Sequence, residues 1–153
     1  MRSYLIFIIG MLYLHCTNAQ TITVTNDQDL KFGSFYLSGI SSGSISISNN
    51  GDRSANGGVV ILPSTVYQPW IFTISTDSET QMLVTVDNPS TNLSNANGDQ
   101  ITLTAGVSNP AVANVQQNSP AQMVIGGTIS ISNGVAQGFY TGDMLLTFSL
   151  YHE

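Results

Sequence analysis

The stretch GFYTGDMLLTFSLY, residues 138–151, decides the fold class. From Met144 onward, apolar residues alternate with small polar ones, so Leu146, Phe148 and Leu150 share one face of an extended segment. This period of two predicts a half-buried β-strand whose apolar face points toward a core. Such a strand needs a facing layer, and the earlier segments of the chain must supply it.

The rest of the chain repeats this pattern in short segments separated by turn residues. Residues 44–48 alternate with Ile45 and Ile47 inward, and no window has an amphipathic helical period of useful length. The spacing of the turns favours an all-β sandwich or barrel. The expected core consists of apolar residues from every segment, namely Ile45, Ile47, Val60, Trp70, Phe72, Val84, Leu103, Ile129, Leu146 and Phe148.

The first 19 residues predict a secretory signal peptide, followed by one domain over residues 20–153. Arg2 precedes a short apolar run, and Thr17 and Ala19 stand at the −3 and −1 positions of a cleavage site after Ala19. The run is short for a membrane span, so we expect an exported protein (periplasmic, cell-surface or extracellular) without a stable span after cleavage. The alternatives are an uncleaved anchor and a lipidated Cys16.

The composition excludes several functions. Residues 20–153 contain no cysteine, and their only cations are Lys31 and Arg53 in a chain of net charge −6. Disulfide chemistry is therefore excluded, and nucleic-acid binding is disfavoured because few cations are present to displace counterions. Charged residues are only 8% of the chain, so uncharged polar side chains must solubilise it, which suits an extracellular β protein.

No residue set predicts catalysis, a cofactor or a bound metal. Residues 39–43 match G-x-S-x-G, but a predicted strand follows instead of a helix, and the mature chain's sole histidine is His152. Asn95, Asn97 and Asp99 alternate as in a calcium loop but lack its acidic endpoint. We therefore expect a protein that is not an enzyme and has no cofactor.

Two aromatic residues are candidates for ligand stacking. Tyr67 and Trp70 precede or begin an alternating segment, although core packing is the other interpretation of Trp70. Polar stretches at residues 87–100 and 106–120 are expected to be long loops. Together these features indicate an alternative function, an extracellular binding module or adhesin that recognises a glycan or a matrix protein.

Five pieces of the sequence, in order, resemble one bacterial family. They read LKFGSF, ISISNNGDRSANGGVVILPS, WIFTIS, MVIGGTISIS and GFYTGDMLLTFSLY, and they include Phe32-Gly33, Arg53-Ser54 and Gly138-Phe139-Tyr140-Thr141-Gly142. The family is domain-of-unknown-function family 4402, which is similar to fimbrial subunits of the common-pilus type. This resemblance implies a single immunoglobulin-like, pilin-like antiparallel β-sandwich, here of about eight or nine short strands, and brings no catalytic residues.

The resemblance and the export signal predict a secreted or cell-surface structural protein. A pilin-like subunit would assemble with copies of itself or with another surface subunit, by adding a strand to an exposed sheet edge. The candidate strand-pairing residues are Ile22 and Val24 of one copy and, beside a groove in the next copy, Leu146, Phe148 and Leu150. Polar residues follow Val24, so the apolar row that could be donated is short.

Overall fold

A computed structural model describes residues 20–39, 41–63 and 65–152. The predicted signal peptide lies outside these residues. Within them the chain forms twelve β-strands and no helix. The strands are β1 (Ile22–Gln28), β2 (Phe35–Leu37), β3 (Gly43–Ile47), β4 (Arg53–Gly57), β5 (Val59–Ile61), β6 (Trp70–Thr76), β7 (Met82–Val86), β8 (Ser90–Ser94), β9 (Gln100–Asn109), β10 (Ala113–Val115), β11 (Ala121–Ile131) and β12 (Phe148–His152).

The all-β prediction is confirmed, but the two expected polar loops are partly strands, and the described residues form twelve strands where about eight or nine were expected. Residues 87–100 contain β8, and residues 106–120 contain the end of β9 and all of β10. In β8 only Leu93 is buried, and its neighbours are Ser, Thr and Asn residues that face outward or lie at the surface. A polar strand with one inward residue carries too little apolar alternation to be recognised in the sequence.

Strand β11 organises the largest sheet, in which all pairs are antiparallel. One edge of β11 pairs with β9, and β8 continues the sheet on that side. The other edge is divided, because residues 121–125 pair with β6 and residues 127–131 pair with β3. Strand β1 extends β6 and β4 extends β3, so the sheet splits and curls into a half-barrel.

Gly126 lies where β11 changes partners. A Cβ atom there would overlap the carbonyl oxygen of Ile47 and the backbone of Ser48, so β3 approaches β11 more closely than any side chain would permit. The pairing with β9 also shifts register between Ile125 and Gly127. The paired glycines thus mark a bulge and a close backbone approach, as glycines inside strands commonly do.

Two smaller sheets complete the domain. Strands β10, β7 and β12 form one, and β2 and β5 form a two-stranded ribbon. The three-stranded sheet packs against the large sheet through a buried cluster that includes Ile74, Val84 and Met123. In the described residues no helix has the length and apolar character needed to cross a membrane.

Most of the predicted core is buried, with one error and three partial cases. The buried residues are Ile45, Ile47, Phe72, Val84, Leu103 and Ile129. The prediction for Val60 is wrong, because Val59 is the inward residue and Val60 is 37% exposed. The continuous apolar run at this position does not reveal which residues face inward. The remaining three residues are half-buried along one open side of the domain, namely Trp70, Leu146 and Phe148.

Candidate functional site

An apolar groove of about 1700 Å³ opens between two segments of chain. We call residues 29–37 the first wall and residues 138–146 the second wall. The floor between them is formed by side chains of the large sheet, all of them buried except the half-buried Trp70, namely Trp70, Phe72, Leu93, Ile101, Leu103, Ile129 and Ile131. The hydrophobic core of the domain therefore reaches the surface along this groove.

The first wall is bonded on the side away from the groove. Lys31 exchanges two backbone hydrogen bonds with Gln68, at 2.9 and 2.8 Å, and β2 pairs with β5. Within the described ranges β2 has no second strand neighbour, so its other edge carries no ladder. An exposed edge of this kind can accept an additional strand.

The second wall is also bonded on one side only. Thr141 exchanges two backbone hydrogen bonds with Ser94 in β8, at 3.0 and 2.9 Å. Farther along, the carbonyl oxygen of Thr147 accepts a hydrogen bond from the backbone N–H of Asp87 at 3.1 Å. Regular pairing begins only at Phe148, where β12 joins β7. The alternation of apolar and polar residues therefore continues through a part of the second wall that forms no regular strand pairing with the described residues.

The bonding of the second wall leaves alternate backbone groups directed at the groove. In an extended segment, the N–H and C=O groups of successive residues point to opposite edges. The backbone groups of Thr141 and Asp143 bond to β8, and the carbonyl of Thr147 bonds to Asp87, which directly follows β7. The backbone groups of Gly142, Met144, Leu145 and Leu146 have no hydrogen-bond partner among the described residues. From the alternation we infer that those of Gly142, Met144 and Leu146 point to the edge opposite β8.

Side chains of the second wall alternate in the same way. Met144 and Leu146 pack against the buried cluster that contains Phe72 and Ile125. Leu145 points outward and is 84% exposed, and Phe139 at the start of the wall is 95% exposed. Single exposed apolar side chains are ordinary, but these two lie beside an apolar groove. The rim of the groove therefore mixes polar residues with exposed apolar ones.

The two walls run in opposite directions. The first wall begins where β1 ends, beside β6, and the second wall leads to Phe148, which contacts Phe72 of β6. A strand lying in the groove is therefore parallel to one wall and antiparallel to the other. Both walls line the same space, so one extended segment could contact both.

The predicted strand-pairing residues fall into two places. Leu146 and Phe148 line the groove, and Leu150 follows in β12 with 43% of its side chain exposed. Ile22 and Val24 lie in β1, where they pair with Thr76 and Ile74 of β6 in the same domain. Strand β1 is an edge strand, and Val24 is 37% exposed although its neighbour on the same face, Ile74, is fully buried.

The two candidate stacking residues have different surroundings. Trp70 is half-buried in the floor of the groove, between two of the buried clusters. Tyr67 lies under Arg53, whose guanidinium carbon is 4.5 Å from the ring centroid. A stacking role toward a ligand stays a prediction for both residues, and the groove is where Trp70 would meet one.

A hydrogen-bond network around Asn95, which the sequence did not predict, holds the start of the second wall. The Oδ1 atom of Asn95 accepts hydrogen bonds from the backbone N–H groups of Asn97 and Asp99, at 3.0 and 2.9 Å. Its Nδ2 atom donates to Asp99 and to the Tyr140 hydroxyl, at 2.9 and 3.2 Å. The Tyr140 hydroxyl in turn donates to the carbonyl oxygen of Ala136 at 2.7 Å. The segment before the groove is thus fixed to the β8–β9 turn.

This hydrogen-bond network bears on two properties, the predicted calcium alternative at Asn95, Asn97 and Asp99 and the pKa of Tyr140. The side-chain oxygen of Asn95 is occupied by backbone donors, and the described residues contain no cluster of three His, Cys, Asp or Glu side chains able to hold a metal ion. The pKa of Tyr140 is raised above its usual value, first by partial burial and then by the negative charge of Asp99. The hydrogen bond from Asn95 opposes this shift.

The serine motif lies in the connection between β2 and β3. Ser41 is exposed, and β3 begins at Gly43, so a strand follows the serine. His152 is the last residue of β12, and its backbone pairs with Met82. The expectation that the protein is not an enzyme stays a prediction.

The family model described as Domain of unknown function (DUF4402) matches residues 22–149. The matched range begins with β1 and ends within β12, so it includes both walls and the floor of the groove. A search of curated proteins gave no match, and a search of solved structures gave none either.

Proposed function

We propose that this protein, which belongs to the DUF4402 family, is an exported structural protein of the cell surface that assembles by strand pairing. Its groove accepts a β-strand from another copy of the same chain. The observation that carries the proposal is the second wall, where Gly142, Met144 and Leu146 line the groove and their backbone groups have no hydrogen-bond partner among the described residues.

The chemistry of the groove suits an extended peptide better than a compact ligand. Backbone donors and acceptors that recur at every second residue match the ladder of an added strand. Each such hydrogen bond contributes about 1 kcal/mol net. Alternate side chains of the added strand would cover the apolar floor, and burying one Ile or Val side chain contributes about 2 kcal/mol.

Strand β1 is the segment that we propose is donated. It lies at the edge of the large sheet, is held by its pairs with β6, and exposes most of its residues. Ile22 and Val24 alternate, so both can face the floor of a neighbour's groove. The exchange replaces one set of backbone hydrogen bonds with another and adds coverage of the floor, which is the source of its net stabilisation.

The finer features of the fold and the location belong to the same proposal. We infer an immunoglobulin-like, pilin-like sandwich, supported by the packing of the three-stranded sheet on the large sheet and by the open side between the walls. Export is inferred from the sequence of residues 1–19, with its cationic start, apolar run and small residues before a cleavage site.

A reversible lock on β1 tests the exchange without deleting a strand. Thr23 and Ser75 are cross-strand partners in β1 and β6, and residues 20–153 contain no cysteine. A Thr23→Cys, Ser75→Cys variant can therefore form a single disulfide that keeps β1 in its own domain. Assembly of residues 20–153 is followed by sedimentation and by gel electrophoresis of unheated and heated samples.

We expect detergent-resistant, heat-sensitive multimers from the unmodified chain and from the reduced variant, and monomers from the oxidised variant. The unmodified chain with and without reductant is the control. Equal assembly of the oxidised and reduced variants would refute donation of β1. A monomeric unmodified chain under all conditions would refute strand pairing between copies.

A further inference from the structure

Arg53 joins the large sheet to the first wall of the groove. It is the first residue of β4, paired with Ile47, and its side chain is half-buried. The Nη1 atom donates hydrogen bonds to the carbonyl oxygen of Phe32, at 2.9 Å, and to the Thr65 hydroxyl, at 3.1 Å. The Nη2 atom donates to the carbonyl oxygen of Leu62 at 2.8 Å. One cation thereby joins β4 to two other parts of the chain, the first wall at Phe32 and the residues Leu62 and Thr65 after β5.

The backbone of the first wall is shaped to admit this side chain. Gly33 has φ +70°, and a Cβ atom at this position would overlap Nη1 of Arg53 and the hydroxyl of Thr65. The same hydroxyl accepts a hydrogen bond from the backbone N–H of Ser34 at 3.0 Å. The Phe32-Gly33 and Arg53-Ser54 pieces of the sequence therefore meet in one contact. The floor and edges of the groove do not by themselves explain why this contact is present.

Two further features make the contact rigid. Tyr67 stacks on the outer face of the guanidinium, at 4.5 Å from ring centroid to guanidinium carbon. The Phe32 side chain is buried in the cluster that forms the floor, so the carbonyl that Arg53 holds is also anchored from below. The first wall is thus fixed at its middle, between the bridge at Lys31 and the ribbon at β2.

We propose that Arg53 is a positioning residue for the groove, which holds the first wall in the geometry that a strand can enter. This inference rests on the proposed function, because it assigns Arg53 a part in strand uptake. A wall fixed before binding does not have to be ordered during binding, so the association step loses less conformational entropy. Only a planar guanidinium can reach three acceptors in this arrangement, and a lysine would reach fewer.

The test measures uptake of a peptide and the protection of the wall separately. The probe is a fluorescent synthetic peptide of residues 20–29, and its association and dissociation rates are followed by anisotropy. The acceptor is the monomer locked by the oxidised Thr23→Cys, Ser75→Cys pair, whose groove is free, and this locked chain without further change serves as the unmodified chain in the assay. We expect Arg53→Lys to slow association about tenfold with little change in dissociation, because the entering strand meets a disordered wall. Tyr67→Ala weakens the stack and should give an intermediate rate, whereas Tyr67→Phe keeps the ring and should match the unmodified chain.

Amide hydrogen exchange gives a readout that does not depend on the peptide. Exchange at residues 32–34 should accelerate in Arg53→Lys and in Tyr67→Ala, whereas exchange in the buried strands β9 and β11 should not change. Unchanged exchange at residues 32–34 in both variants would refute the inference. Accelerated exchange with an unchanged association rate would also refute it, since Arg53 would then stabilise the wall without aiding uptake.

The two proposals can fail separately. If the locked monomer with Arg53 and Tyr67 intact does not bind the peptide, donation of β1 is refuted, and the hydrogen-exchange result still decides whether Arg53 positions the wall. If Arg53→Lys does not fold, Tyr67→Ala against Tyr67→Phe supplies the same comparison, because Tyr67 is 44% exposed and its replacement leaves the core intact.

Discussion

The rings of Phe72 and Phe148 meet edge to face, with centroids 5.6 Å apart and planes at 70°. Phe72 lies in the floor of the groove on β6, and Phe148 is the first residue of β12. The second wall reaches the large sheet earlier through Thr141 and β8, and this contact then holds the start of β12 against β6.

A double-mutant cycle measures this contact. We expect Phe72→Leu and Phe148→Leu to be non-additive, with a coupling of about 1 kcal/mol in the free energy of unfolding, since edge-to-face pairs contribute beyond their buried area. The measurement is urea unfolding of both single variants and the double variant. Pairing Phe72→Leu with Phe139→Leu is the control, and equal coupling in both cycles would contradict the prediction.

Replacement of Gly126 should be strongly destabilising. Gly126→Ala places a methyl group against the backbone of β3, which cannot move without breaking its pairs with β11. We expect a loss of about 3 kcal/mol or more in the free energy of unfolding. Gly138→Ala is the matched control, because its Cβ would come no closer than 3.3 Å to its nearest neighbour, the Asn95 side chain, whereas a Cβ at Gly126 would overlap backbone atoms. Similar losses from both variants would contradict this account.

Asn95 should contribute more to folding stability than Asn97, which lies in the same turn. Asn95→Ala leaves two backbone N–H groups and the Tyr140 hydroxyl without their partner, so we expect a loss of about 2 kcal/mol in the free energy of unfolding. Asn97→Ala, at an exposed position, should change it by less than about 0.5 kcal/mol. Thermal unfolding of the two variants makes the comparison, and a reversed order would exclude the proposed anchoring.

The raised pKa of Tyr140 predicts a loss of stability at alkaline pH. The folded protein holds the phenol proton more tightly than the unfolded chain does. The unfolded state therefore binds fewer protons once the pH passes the ordinary tyrosine value, and folding stability falls as the pH rises further. Tyr140→Phe should flatten this part of the stability curve, measured by urea unfolding across alkaline pH. An unchanged slope would mean that Tyr140 does not contribute to it.

Phe139 should be dispensable for folding but should contribute to self-association. Its side chain is 95% exposed at the rim of the groove, so Phe139→Ser should change the free energy of unfolding by less than about 0.5 kcal/mol. The same change should reduce self-association, because it removes an exposed apolar group beside an apolar groove. Val107→Ser, also at an exposed apolar position, is the control for sedimentation. A larger loss of self-association in Val107→Ser than in Phe139→Ser would place the self-associating surface elsewhere.

The alternation of the sequence predicted which side chains face inward, but not which strands have neighbours. Met144 and Leu146 face the core as their spacing indicates, yet they belong to a wall without a ladder. Periodicity reports the burial of one face of a segment and carries no information on what lies at its edges. The groove becomes apparent only when the positions of both walls in the fold are known.

The contacts that shape the groove were beyond sequence reasoning for a different reason. Arg53 binds a carbonyl 21 residues away, and Asn95 meets a hydroxyl 45 residues away. A carbonyl acceptor has no sequence signature, because every residue has one. The sequence contains the Phe32-Gly33 and Arg53-Ser54 pieces, but their contact becomes apparent only from the overlap that a side chain at Gly33 would create with Arg53.

The separation of β1 and β12 into different sheets determines how the domain bears mechanical load. In a domain that keeps its own β1, tension applied through these two strands passes from β1 into β6 across six residue pairs and from β12 into β7 across five. Strands β6 and β7 follow each other in the chain, so covalent bonds carry the force between them. The remaining strands bear little of the pull until one of the two ladders breaks. The tensile strength of a single domain is therefore that of its weaker ladder, and the broad sheet around β11 is shielded from the force.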